Sequence, residues 1–165
     1  MTYSIRQAEE KDIPAITLIY NQGILDKGAT LEIATRTEDE RKEWLFSKSD
    51  RHKVLVIENE MGEVFGWASL NVFNTRACYS GVADISIYIR RDMRGKGLGK
   101  ALLSSLIETA KAEDFHKLVL SAFNSNEAGK RLYQAVGFRE VGVYEKQGQL
   151  DGKWMDVVIM EKLFV

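Results

Sequence analysis

Arg94-Gly95-Lys96-Gly97-Leu98-Gly99-Lys100 joins a strand-like run over 82–90 to the clearest helical pattern in the chain. Leu98, Leu102, Leu103, Leu106, Ile107 and Ala110 recur at the spacing of one helix face, with charges between them. A glycine-rich turn between a strand and a helix leaves several backbone N–H groups aimed at one spot. The helix adds roughly half a positive charge there, so a phosphate or pyrophosphate fits without side-chain chemistry. Gly97 and Gly99 let the backbone approach closely, while Arg94, Lys96 and Lys100 add positive charge. Two nucleotide loops fail on position. A GxGxxG fingerprint begun at Gly95 needs glycine where the chain has Lys100, and a Walker A loop needs Gly and Ser or Thr where it has Arg94 and Ala101. The plain alternative is a glycine turn with solvated lysines.

On the N-terminal side, alternation predicts strands over 3–8, 54–58 and 64–73. Asn59-Glu60-Met61-Gly62-Glu63 is the turn of a hairpin between the last two. Asp12 reads as the cap of a helix with Pro14 in its first turn and Ile13, Ile16, Ile19 and Tyr20 along one stripe. Thr37 followed by Glu40 is a capping box that opens a second helix through Trp44 and Phe46. On the C-terminal side come a strand over 117–122, a helix over 127–136 stopped by Gly137, and strands near 138–144 and 154–163. The order predicts one α/β (α+β) domain over residues 1–165: a mixed, mostly antiparallel twisted sheet with helices on both faces.

Composition narrows the function. With 45% apolar and 28% charged residues the chain can bury a core and is not disordered. Its 23 Lys and Arg balance 24 Asp and Glu, so no global basic field draws it to nucleic acid or an anionic membrane. Cys78 is the single cysteine, so no intramolecular disulfide forms, which suits a reducing compartment. His52 and His116 are too few for a His-rich metal centre, there is no CxxC, and no metal is expected. The first residues carry no signal-peptide pattern and no 18-residue apolar run occurs. A soluble cytoplasmic protein is expected.

Ile87-Tyr88-Ile89 followed by Arg94-Gly95-Lys96-Gly97-Leu98-Gly99 resembles the acetyl-CoA signature of the GNAT N-acetyltransferases, Arg/Gln-x-x-Gly-x-Gly/Ala. Asn126-Glu127-Ala128-Gly129-Lys130-Arg131-Leu132-Tyr133 and Gly137-Phe138 resemble that family's Asn…Leu-Tyr…Gly-Phe segment. The resemblance implies that backbone amides of 95–100, including Leu98, hold the pyrophosphate of acetyl-CoA. It implies that Ile87, Tyr88 and Ile89 pair with the pantetheine arm like an added strand, that Asn126 contacts the same arm, and that Tyr133 protonates the leaving thiolate. Further segments resemble the phosphinothricin and methionine sulfoximine acetyltransferase branch: Tyr20-Asn21, Thr37…Glu40…Trp44, Phe73…Arg76…Tyr79, the stretch from Ala83 to Ile89, and Gly148…Gly152…Trp154…Asp156. That likeness implies a small amino-acid-like amine as acceptor and a homodimer. The chain departs from the branch by Asp84 in place of Glu and Leu150 in place of Lys.

Acetylating an amine requires its neutral form, and a carboxylate near the acceptor could take the proton, directly or through water. Strand parity selects Asp84. Ala83, Ile85, Ile87 and Ile89 share one face, so Asp84, Ser86 and Tyr88 share the other. Arg76, on the segment leading into that strand, suits a substrate carboxylate or phosphinate, or else a surface ion pair. Tyr79 would shape the acceptor pocket or simply pack. Trp44, Trp67 and Trp154 read as core or interface, His52 as solvent-facing, and Cys78 as a small residue near the pocket. Two other functions fit the same loop: acetylation of a protein N-terminus or ribosomal protein, and coenzyme A sensing without turnover.

Overall fold

The computed structural model describes residues 2–164. Seven strands, β1 (Tyr3–Gln7), β2 (Val54–Asn59), β3 (Val64–Val72), β4 (Val82–Ile89), β5 (Lys117–Phe123), β6 (Arg139–Leu150) and β7 (Lys153–Leu163), form one sheet in the order β1-β2-β3-β4-β5-β7-β6. Four helices flank it: α1 (Ile13–Asp26), α2 (Glu38–Ser47), α3 (Leu98–Ala112) and α4 (Glu127–Ala135). Every strand pair is antiparallel except β4–β5, whose crossover is α3. The mixed, mainly antiparallel sheet expected from the sequence is the one found.

Side-chain period assigns the two faces. Leu102, Leu103 and Leu106 of α3 are fully buried against Leu55, Ile57, Ala68, Leu70, Ala83 and Leu118. On the opposite face Ile16 and Ile19 of α1 meet Val54, Val56 and Trp67. Each such buried aliphatic side chain contributes about 2 kcal/mol, so packing rather than helix propensity fixes α3 in place. Local chemistry sets the ends. In the β2–β3 turn the Asn59 carboxamide oxygen accepts the N–H groups of Met61 and Glu63 at 3.0 and 2.9 Å.

Two expectations need correction. Asp12 does not cap α1 with its side chain. Its carboxylate instead accepts the Glu9 N–H at 2.8 Å and two bonds from Arg6 at 2.7 and 2.8 Å, and Arg6 also reaches Glu58. Burial would raise this carboxyl, but Arg6 and the Glu9 N–H hold it below its usual value. The strand expected to stop at Tyr144 continues to Leu150 and meets β7 through Asp151 and Gly152, both at positive φ. Residues 145–149 are polar because β6 is an edge strand with little packed against it, so no apolar alternation announces them.

The join between β4 and β5 matters most for function. They pair only through residues 82–84 and 117–119. Beyond Asp84 the strands part, and residues 85–89 keep their pairing with β3 alone.

Candidate active site

A cavity of about 490 Å³ occupies the space where β4 leaves β5. One wall is Ile87, Tyr88 and Ile89; the floor is the turn into α3; the far wall is α4 with Asn126, Leu132 and Tyr133. Gly95 and Gly97 have φ of +75° and +83°. A Cβ at either would touch nothing within 4 Å, so backbone conformation rather than crowding demands glycine there. No side chain caps α3. The N–H groups of Leu98, Gly99 and Lys100 have no intrahelical acceptor, and the first return bond is Ala101 N–H to Gly97 O at 3.3 Å.

The charges around this turn are arranged less simply than the sequence suggested. Arg94 lines the cavity, but its guanidinium donates to Asp26 at 2.8 Å and to the Ile89 carbonyl at 3.2 Å. Arg91 binds the same carboxylate at 2.7 Å, and the two arginines hold Asp26 below its usual pKa. Arg94 therefore ties the turn to the end of α1 instead of offering free charge. Lys96 lies outside the cavity lining, whereas Lys100 is part of it. Asn126 has two tasks: its oxygen accepts the Gly129 N–H at 2.9 Å and caps α4, while the residue also faces the cavity. Paired backbone donors, a left-handed glycine turn and one lysine suit a diphosphate.

On the other face of β4, Asp84 and Ser86 line two adjoining cavities of about 420 and 400 Å³. Burial pushes Asp84 up to about 6, against the opposing pull of the Asn71 side chain and the Lys48 ammonium. Asn71 stands opposite Asp84 in the β3–β4 register. Its amide donates to Ser86 Oγ at 3.0 Å, and its oxygen accepts from Ser69 at 2.9 Å and from Lys48 Nζ at 3.1 Å. Lys48 also donates to the Leu70 carbonyl at 2.7 Å, and burial followed by repulsion from Arg41 pushes it down to about 8. Tyr133 packs edge-on against Phe138 with ring centroids 6.0 Å apart. Burial pushes its phenol up to about 12, so it stays protonated at neutral pH. A group poised to accept a proton and one that retains a proton thus line neighbouring cavities that meet at Tyr88.

Not every residue singled out from the sequence comes to these cavities. Arg76 and Tyr79 sit on the exposed loop after β3, where Tyr79 packs on Phe73 with centroids 5.6 Å apart, and neither lines a cavity shared with Asp84. Cys78, on the same loop, is exposed and away from them. Leu150 is buried at the end of β6. Trp67 is core, Trp154 is exposed, and Trp44 packs on Trp67 while also lining the 420 Å³ cavity. His52 is half-buried rather than fully solvent-facing: it contacts Ser49 at 2.6 Å, packs on Phe115, and burial lowers its pKa. Arg41, Lys48 and Asn71 were missed. Only the Asn71–Asp84 register offered a signal, and it requires knowing the pairing. Among the described residues no three His, Cys, Asp or Glu side chains could hold a metal together, and no helix is long and apolar enough to cross a membrane.

Residues 21–138 match the Acetyltransferase (GNAT) family. An L-methionine sulfoximine/L-methionine sulfone acetyltransferase of Pseudomonas aeruginosa is 34% identical over 165 residues, covering 98% of this chain and 94% of the relative. Among solved structures, a phosphinothricin acetyltransferase from Sinorhizobium meliloti in complex with AcCoA superposes with a TM-score of 0.91 at 30% identity, covering 99% of this chain and 89% of the other. A ribosomal-protein-alanine N-acetyltransferase from Brucella melitensis superposes with a TM-score of 0.93 at 34% identity, covering 97% and 99%.

Proposed function

The chain belongs to the GNAT acetyltransferase family, and from that premise we propose that it uses acetyl-CoA to acetylate the amino group of a small amino-acid-like acceptor, of the methionine sulfoximine or phosphinothricin kind. The observation that carries this reading is the parting of β4 from β5. It sets an uncapped helix start and a protonated phenol around one cavity, and a buried carboxylate in the neighbouring cavities that meet it at Tyr88.

When bound, acetyl-CoA supplies an acetyl group already activated as a thioester. Backbone amides of residues 95–100, with Lys100, hold the pyrophosphate. The free edge of Ile87, Tyr88 and Ile89 hydrogen-bonds the amides of the pantetheine arm, helped by Asn126. Asp84 removes a proton from the acceptor ammonium, directly or through one water. The neutral nitrogen attacks the acetyl carbon in a ternary complex: one N–C bond forms and one C–S bond breaks. Tyr133 gives its proton to the departing sulfur and regains one from the nitrogen as it becomes an amide, by way of solvent. Proximity and orientation carry much of the acceleration. From the exposed loop outside these cavities Arg76 meets the acidic group of the acceptor and Tyr79 shapes its approach, and no metal takes part.

Val141, Val143, Tyr144 and Trp154 are each exposed along β6 and β7, at the β6 edge of the sheet, which supports a homodimer; an 18.7 kDa species in sedimentation would refute it. The near-neutral charge supports a protein without nucleic-acid or membrane partners, and the single Cys78 suits a cytoplasmic one. The likeness to the Brucella enzyme favours a second reading, in which the acceptor is a protein N-terminus. An acceptor panel separates them. Thiol release from acetyl-CoA is expected with methionine sulfoximine, methionine sulfone and phosphinothricin. Preferential turnover of N-terminal alanine peptides would establish the second reading, and coenzyme binding without thiol release would leave a sensor.

A further inference from the structure

The 420 Å³ cavity between α2 and strands β3 and β4 contains a cation that no acid among the described residues answers. Arg41 projects from α2 into its lining and is only 7% exposed. Its Nε and Nη2 are sealed from solvent with no hydrogen-bond acceptor. The guanidinium carbon lies 3.8 Å from the ring centroid of Trp44, 4.3 Å from that of Tyr20 and 5.1 Å from that of Trp67. These rings stabilise the charge through its flat faces. The N–H bonds lie in the guanidinium plane, however, and those of Nε and Nη2 remain unsatisfied. An arginine cannot shed its proton to escape the cost of burial.

The nearest acids do not solve the problem. Glu32 already accepts the Tyr20 hydroxyl at 2.8 Å and pairs with Arg36 at 2.9 Å. A second cation faces the same space, since Lys48 is held by a carbonyl and an amide oxygen, neither of them charged. Among the described residues, Asp84 is the one carboxylate in the cavity lining. Two cations over one acid give a buried, aromatic-walled space that lacks an anion.

We infer that this cavity is an oxyanion subsite for the acceptor, in which Arg41, with Lys48 beside it, binds a carboxylate or phosphinate while the acceptor's amino group turns to Asp84. Nη1 is not among the sealed nitrogens, so an anion in the cavity meets Arg41 there and offsets the delocalised charge, while Nε and Nη2 stay enclosed. The rings of Tyr20, Trp44 and Trp67 fix the guanidinium plane in advance, so little side-chain entropy is lost on binding. This rests on the acetyl-transfer reading above and extends it: the acceptor is recognised by its negative oxygen atoms from inside the fold, in addition to any contact with Arg76 at the rim.

The test compares wild type with Arg41→Met, which keeps a linear stem among the rings, on three acceptors. L-methionine sulfone carries only the α-carboxylate, its carboxamide carries no anion, and 3-aminopropyl(methyl)phosphinate carries only the distal oxyanion. The preference for an anionic acceptor over the carboxamide, measured as kcat/KM, is expected to fall at least tenfold in the variant. A fall confined to the sulfone places the α-carboxylate on Arg41; a fall confined to the phosphinate places the distal group there. An unchanged preference overturns the subsite. A readout without turnover keeps this separate from the acetyl-transfer reading. The Arg41 Nε–Hε resonance of the nitrogen-15-labelled wild type should shift on titration with L-methionine sulfone and not with the carboxamide. A shift without any acetylation sinks the reaction and keeps the subsite, whereas a silent resonance sinks the subsite whatever the kinetics show.

Discussion

Helices α2 and α3 both begin after an irregular stretch, and they begin in opposite ways. At α2 the Thr37 hydroxyl accepts the Glu40 N–H at 3.1 Å, and the Glu40 carboxylate accepts the Thr37 N–H at 3.1 Å. Glu38 and Asp39 place further negative charge against the helix dipole. The chain satisfies itself there. At α3 the preceding residue is Gly97, the first turn contains no acid, and the leading amides face a cavity without a protein acceptor. A helix start that is closed by its own sequence is structural, while one left open next to a cavity is available to a ligand anion. The capping chemistry missing from α3 says as much about function as the glycines that are present.

The largest expected effect comes from spoiling the open start. Gly97→Val forces a β-branched residue into φ near +83°. The space around Gly97 is empty, so the damage is to backbone conformation and the aim of the amides. Calorimetric binding of coenzyme A should be lost, at least a hundredfold in affinity, while circular dichroism still reports a folded sheet. Retained affinity would mean that the diphosphate is held elsewhere.

Next in size is the carboxylate across β4. Wild-type kcat/KM should rise with pH to a plateau above about 6, where Asp84 ionises. Asp84→Asn should remove that limb and lower the plateau on the order of 10²–10⁴-fold. A stability measurement gives an independent check. Below its ordinary value of 3.8 this carboxyl is protonated in both folded and unfolded chains. Between there and about 6 the unfolded chain releases its proton first, so wild type loses stability as pH rises, by about 2–3 kcal/mol in full. Asp84→Asn should therefore melt above wild type at pH 8 and level with it near pH 3.5. An asparagine variant that is active and no more stable at pH 8 would remove Asp84 from both arguments.

The contrast between the two helix starts is legible in the order of amino acids because both depend on neighbours along the chain. A capping box is a four-residue pattern and a glycine turn is a local backbone requirement. The parity that turns Asp84, Ser86 and Tyr88 away from Ala83 and Ile85 is likewise local, since a strand has period two. What could not be read was assembled by packing. Arg41 sits in a helix so polar that it resembles any solvated charge, and becomes 7% exposed only when Trp44, Tyr20 and Trp67 close around it. Lys48 and Asn71 meet through the approach of α2 to β3. Asp12 has the composition of a cap, but Arg6 on β1 and the Glu9 N–H claim its carboxylate.

The smallest expected effect lies at the closed start. Thr37→Ala removes the acceptor for the Glu40 N–H and half of a reciprocal pair, a loss of about 1 kcal/mol. In a chain of this size that lowers the melting temperature by about 2–4 °C. Coenzyme A affinity should not change, because α2 does not line the cavity where β4 leaves β5. The acceptor KM has reason to respond, since α2 carries Arg41 and Trp44 and leads into Lys48, all of which line the cavity beside Asp84. A fraying first turn loosens Arg41, whose N–H closes that turn on the Thr37 carbonyl, before it reaches Trp44. A modest rise in acceptor KM, about twofold, with kcat and coenzyme affinity held, would show that a cap remote from the diphosphate turn serves the other substrate. Equal weakening of both would show that the two helix starts are not energetically separate.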